Sequence, residues 1–183
     1  MKKLIIGALA LSFVSMLTIS TQSCNKSAAA ASPTLYDTLG GTAKVADPVG
    51  GAQIESGRLA VRSVIDSALY VIAADPAINS YFTVLLGELN AHNSTGFTDL
   101  QNNLTDFFSV GAGAKDYTYT GMSMTTAHNP ATNARISQKV NVAGFTQFTN
   151  DVVTAAQQNH VPNGIIGSLG KVIASQQSLV VQR

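Results

Sequence analysis

The stretch Tyr119-Thr-Gly-Met-Ser-Met-Thr-Thr-Ala-His128 ends on one of three histidines in a chain of 183 residues. A neutral imidazole can ligate one metal ion, but only where other donors complete the coordination. An isolated histidine is otherwise a surface or hydrogen-bonded residue. His92, within the polar run Asn90-Ala-His-Asn-Ser94, and His160, ahead of Pro162, have no supporting pattern and are expected in solvent. Cys24 is the only cysteine, so no intramolecular disulfide can form. The sequence contains no phosphate-binding loop, zinc-ligand spacing or catalytic triad motif. What chemistry the residues offer therefore centres on His128 and on the elements that would present it.

Those elements are helical by period. Val61, Ile65, Ala68 and Ile72, with Leu69 beside them, predict a helix that stops near Asp75-Pro76. Asp75 is then placed to cap a short helix with Pro76 in its first turn, carrying Ile78, Tyr81, Phe82 and Leu85. Leu100, Leu104, Phe107 and Phe108 form an amphipathic face. Thr98 and Gln101 suit a capping box at its start, and Gly111 with Gly113 suits its end. Phe145, Phe148, Val152 and Ala156 predict a further helix closing before His160. Ile166, Leu169 and Ile173 predict a last one opening near Asn163. The Gly-rich residues 40–57, with Pro48, read as a loop. Tyr117-Thr-Tyr-Thr120 alternates as a strand would, but has no partner segment, and reads as an extended connector. The sum is an all-α domain of about five or six helices.

The N-terminal residues are of another kind. Lys2 and Lys3 precede an apolar run from Leu4 to Ile19, and small polar residues lead to Cys24, the pattern of an export signal over residues 1–23. The run falls short of the roughly 20 apolar residues that span a bilayer. Ser23-Cys24 resembles the processing site of a bacterial lipoprotein, although Thr21 stands where an aliphatic residue is usual. Cys24 is then the expected lipidation site, and a lipid anchor on it the expected contact with a membrane. Residues 24–33, low in complexity, read as a lipidated cysteine followed by a tether. The expected location is the bacterial cell envelope, at the periplasmic side of a membrane. Residues 34–180 remain, about 150 residues, the usual size of one domain. The formal net charge is only +1, so there is no electrostatic footprint for nucleic acid.

The order of segments in this remainder resembles the truncated haemoglobins, group I. Leu35-Tyr-Asp-Thr-Leu-Gly-Gly41 is similar to the family's opening segment, and Ala74-Asp-Pro-Ala-Ile78 followed by Tyr81-Phe82 to its corner after the long second helix. Asp106-Phe-Phe108, a glycine-bearing loop, and then Tyr119, Gly121, Met124 and His128 match the family's Y-x-G-x-x-M-x-x-x-H at every fixed position. Phe145 through Ala155-Ala156 to Val161-Pro162 resembles the penultimate helix.

The resemblance implies a truncated (2-on-2) globin fold enclosing haem b, with His128 as the protein's ligand to the iron and a diatomic gas as the partner. Met124 is then expected to pack on the haem face nearest His128, and Phe82 to wedge against the haem at the corner. Leu100, Leu104 and Phe108 are expected to cover the opposite face, with Phe145 and Phe148 approaching from the penultimate helix. Tyr119 is expected to pack and hydrogen-bond in the loop, with a haem propionate as the alternative partner for its phenol. Leu69 and Leu104 stand where many members carry a tyrosine and a glutamine, which implies an apolar gas pocket; Tyr70, one residue on, should point elsewhere because one step turns a helix by about 100°. Two connectors, residues 41–58 and 129–139, are longer than the family norm. The function implied is reversible binding of oxygen, nitric oxide or carbon monoxide. The alternatives are an envelope haem carrier or redox sensor, or a haem-free interaction module on a globin fold. Nitric oxide dioxygenation would also need an electron donor as partner, and the chain carries no flavin or nicotinamide motif.

Overall fold

The computed structural model describes residues 32–183. The expected leader and Cys24 lie outside the described residues. Eight helices follow: α1 (Leu35–Thr38), α2 (Ser56–Ala74), α3 (Thr83–Asn90), α4 (Thr95–Gly111), α5 (Met124–Ala127), α6 (Val142–Gln158), α7 (Asn163–Ala174) and α8 (Gln177–Val180). The long helix α2 packs on α4 and α6, and α7 packs on the same two. The result is two pairs of helices laid over each other. The core between them is built from Val61, Ile65, Leu69 and Ile72 of α2, Phe108 of α4, Phe145 and Val152 of α6, and Leu169 and Ile173 of α7. These are the positions that the helical period of the sequence selects, because one stripe of each helix must leave water.

Three local expectations are corrected. Residues 40–57 are not all loop: β1 (Lys44–Ala46) and β2 (Gln53–Glu55) pair antiparallel, with Lys44 opposite Glu55. Asp75 does end α2, taking the extended conformation that a following proline favours. Its Oδ1, however, accepts the amide of Ala77 at 2.8 Å and makes a local turn, and helix resumes only as a tight turn over Asn79–Phe82 that runs into α3. The chain still turns sharply there, through 102° between α2 and the Asn79–Asn90 segment. Finally, α4 begins at Thr95, so Thr98 lies within its first turn, its amide bonded to Ser94 O, and Gln101 reaches Asp66 on α2 instead of capping.

The end of α4 is as expected, with Gly113 at φ +99°. A Cβ there would meet Thr34 at 2.8 Å, so the position also requires a bare backbone for α1 to approach. His92 and His160 are exposed, each in the left-handed conformation just past a helix, at φ 59° and 55°. Residues 117–120 form an extended connector without strand pairing.

Candidate functional site

His128 sits immediately after α5, a single helical turn opened by Ser123, whose Oγ accepts the Thr126 amide at 3.2 Å. The turn itself is too short to be stable alone. It is held from outside: the side-chain amide of Gln182 donates to Thr125 O at 2.7 Å, and the chain end is tied down by Gln182 N to Val140 O at 2.9 Å. Within this support, His128 Nδ1 lies 2.8 Å from Met124 O. A carbonyl can only accept, so Nδ1 carries the proton and Nε2 keeps its lone pair. Burial pushes the imidazole pKa below its ordinary 6.5, outweighing the opposing effect of the Met124 carbonyl, so the ring is neutral near pH 7.

The neutral imidazole borders two adjoining cavities of about 110 and 170 Å³, which share Phe82, Leu100, Leu104, Phe107, Met124, His128 and Ile136 on their walls. The first is apolar. Leu69 and Ile72 of α2, Leu100, Leu104 and Phe108 of α4, and Phe145 and Phe148 of α6 meet there with Phe82 and Met124. Eight of the sequence-selected site residues are thus brought to one cavity. Tyr119 is the exception: it borders only the second cavity, its hydroxyl donating to Met122 O at 2.7 Å and its ring edge-on to Phe107 at 5.7 Å. Tyr70 is 73% exposed and Leu69 is buried, the register implied by the one-residue step along α2.

Polar side chains are distributed unevenly. In the first cavity Tyr81 and Gln176 join His128 on the walls, and both are engaged elsewhere: Tyr81 donates to Asn141 Oδ1 at 3.2 Å and Gln176 to Ser175 Oγ at 2.9 Å. The second cavity gathers Asp99, Asn103, Asn133 and Arg135, with the exposed Met122 on its wall. Together the cavities present an apolar interior and a polar side. Among the described residues no group of three or more His, Cys, Asp or Glu is placed to hold a metal ion, so a metal at His128 would have to bring its other donors with it.

Sequence reasoning missed part of the wall. Ile72, Ile78 and Tyr81 were legible as helical core but carried no sign of facing a cavity. Ile136 and Val140 lie in the irregular segment after His128, and Gln176 and Val180 beyond the last periodic helix, where no pattern identified them.

No family model matches the chain, and no curated protein matches it. Solved structures do. A truncated haemoglobin from Tetrahymena pyriformis, as a tyrosine-to-phenylalanine point mutant in the Fe(III) form, aligns with TM-score 0.58 at 17% identity, covering 82% of this chain and 100% of that one. A glutamine-to-glutamate mutant of the same haemoglobin aligns equally well. The 2/2 haemoglobin of Synechococcus sp. PCC 7002, in the cyanomet state with covalently attached haem, aligns with TM-score 0.58 at 19% identity over the same shares. At these identities the likeness is one of fold.

Proposed function

On a chain that has the truncated 2-on-2 globin fold, we propose that the cavity beside His128 holds haem b and that the loaded protein reversibly binds a diatomic gas. When bound, haem would supply the metal, the metal's other donors and the place where a gas binds. The observation that carries this reading is the state of His128. Met124 O fixes its tautomer, burial keeps it uncharged, and Nε2 is left as the basic nitrogen beside an apolar cavity. Phe82, Phe108, Phe145 and Phe148 offer apolar surface to a flat macrocycle.

The same walls set the gas preference. Leu69 and Leu104 have no hydrogen to donate, the hydroxyl of Tyr81 is engaged with Asn141, and one N–H of the Gln176 amide is engaged with Ser175. A polar diatomic against the α2 and α4 walls therefore gains no hydrogen bond from Leu69 or Leu104, so oxygen leaves fast and carbon monoxide or nitric oxide is relatively favoured. Catalytic nitric oxide dioxygenation is not part of the proposal. The visible spectrum tests it: purified protein with haemin is expected to give a Soret band that His128→Ala loses or shifts strongly. A wild-type protein that gives none with added haemin contradicts the proposal.

We place the protein in the cell envelope, lipid-anchored through Cys24, on the strength of Lys2, Lys3, the apolar run and Ser23-Cys24. Among the described residues no single helix is long and apolar enough to cross a membrane. Labelling cells with a tagged fatty acid is expected to mark the protein, and Cys24→Ser to abolish the mark.

A further inference from the structure

Residues 129–139 run from His128 to the start of the α6 region without helix or strand, and they are tied down almost wholly by side chains and single backbone bonds. Ser137 N donates to Tyr81 O at 2.9 Å, Gln138 Nε2 to Ser80 Oγ at 3.1 Å, and Asn133 Nδ2 to Ala127 O at 2.8 Å. Ile136, 6% exposed, borders both cavities. Beside it, Arg135 Nε donates to Glu88 Oε1 of α3 and Nη1 to Asp99 Oδ2 of α4, each at 3.2 Å.

We infer that residues 129–139 form a latch on the cavity, held shut by Arg135 bridging Glu88 and Asp99, so that breaking these ion pairs speeds both uptake and loss of haem. The inference rests on the haem reading above. Its first support is position: Arg135, Ile136, Leu85, Gly96 and Asp99 all line the second cavity, so the Arg135–Asp99 pair joins two of its walls and the Arg135–Glu88 pair ties the segment to α3 beside Leu85. The second is the cradle. A Cβ on Gly96 would collide with the Glu88 carboxylate and lie 2.6 Å from Arg135 Nε, so α4 is bare where the bridge crosses it.

The third support is that the bridge is made to yield. Charge-assisted hydrogen bonds are strongest at roughly 2.7–2.9 Å, and both of these are longer and partly in water, with Arg135 38% and Asp99 54% exposed. Glu88 Oε2 is buried without a partner, so the closed state carries an unmet hydrogen-bonding demand. Segments with few buried contacts and isolated hydrogen bonds open at the lowest free energies in a fold. Arg135 also has both of these nitrogens committed to carboxylates of the protein, which distinguishes a bridge from a group waiting for a carboxylate of the ligand.

The test measures two rates: haemin uptake by the haem-free protein in stopped flow, and haemin loss to excess apomyoglobin, for wild type, Arg135→Met and Asp99→Asn. A latch raises both rates together, by roughly fivefold for Arg135→Met, the factor given by about 1 kcal/mol at the upper end for partly exposed ion pairs, and leaves affinity nearly unchanged. Asp99→Asn, a surface change that keeps the guanidinium, gives a smaller rise in both and serves if Arg135→Met does not fold. In the haem-free protein, hydrogen exchange at the Ser137 amide should also quicken in each variant. Faster loss with unchanged uptake would make Arg135 a partner of haem itself and overturn the latch, as would rates that do not move. A wild type that binds no haemin overturns the haem reading, and the latch with it.

Discussion

Glu55 and His128 are both titratable groups taken largely out of water, and their surroundings are opposite. Glu55, 2% exposed at the junction of β2 and α2, accepts a hydrogen bond from the Tyr36 hydroxyl at 2.7 Å and one from Lys44 Nζ at 3.0 Å. Arg58 stacks over Tyr117 at 4.3 Å nearby and pairs with Asp106 at 2.6 Å. Both carboxylate oxygens of Glu55 have partners within the fold. His128 has one hydrogen bond among the described residues, through Nδ1, and lines a cavity. The hydrogen-bonding capacity of Glu55 is spent on holding the fold, whereas Nε2 of His128 has no hydrogen-bond partner among the described residues.

The largest expected change is on the cavity side. Leu104→Gln puts a hydrogen-bond donor on the α4 wall, and about 1–3 kcal/mol of stabilisation for bound oxygen should slow its dissociation roughly ten- to a hundredfold. Stopped-flow release from the ferrous protein reads this directly, and an unchanged rate would mean that the α4 wall does not face the gas. On the other side of the comparison, Tyr36→Phe removes a donor to a buried carboxylate and should cost about 1.5–3 kcal/mol in urea unfolding. Haemin uptake should be untouched, and a variant that loses haem binding without losing stability would erase the distinction between the two regions.

The smallest effects are in the pH dependence, where the two groups separate. The His128 pKa is lowered on folding, so its contribution is intact above the ordinary 6.5 and is lost as pH falls through the lower folded value. Burial of Glu55 raises its pKa, but the hydrogen bonds from Tyr36 and Lys44 outweigh it and hold the carboxyl below its ordinary 4.5. Its contribution is therefore intact above 4.5 and lost as pH falls through that lower value. Melting temperature against pH for the haem-free protein should lose its decline from about pH 6.5 downward in His128→Phe and a more acidic one in Glu55→Gln. A single acid transition moved by neither variant would contradict both assignments.

Helix positions were legible wherever one stripe of side chains had to be buried, as with Val61 to Ile72, Leu100 to Phe108 and Phe145 to Ala156. Boundaries set by local competition were not. Thr98 and Gln101 have the right spacing for a cap, yet Gly96 and Phe97 are drawn into α4 because Gly96 must lie against Glu88 and Arg135. The hairpin of β1 and β2 is short and Gly-flanked, and Lys44 meets Glu55 across it, a pairing that no local pattern reveals.

The site divides in the same way. His128, Met124, Phe82 and the α4 and α6 residues stand in ordered motifs with fixed spacing, and the structure brings them to one cavity. Ile136, Val140, Gln176 and Val180 reach it from irregular or terminal segments, placed by tertiary bonds such as Gln182 to Thr125 O and Arg135 to Glu88. Side chains positioned by long-range contacts leave no periodic trace in the sequence.

The most direct measurement is a haemin titration of His128→Gly, followed at the Soret band with and without free imidazole. The wild type is expected to give a histidine-ligated spectrum that the variant loses and that returns when imidazole occupies the space the side chain leaves. A variant that gives the wild-type spectrum without imidazole would contradict ligation by His128.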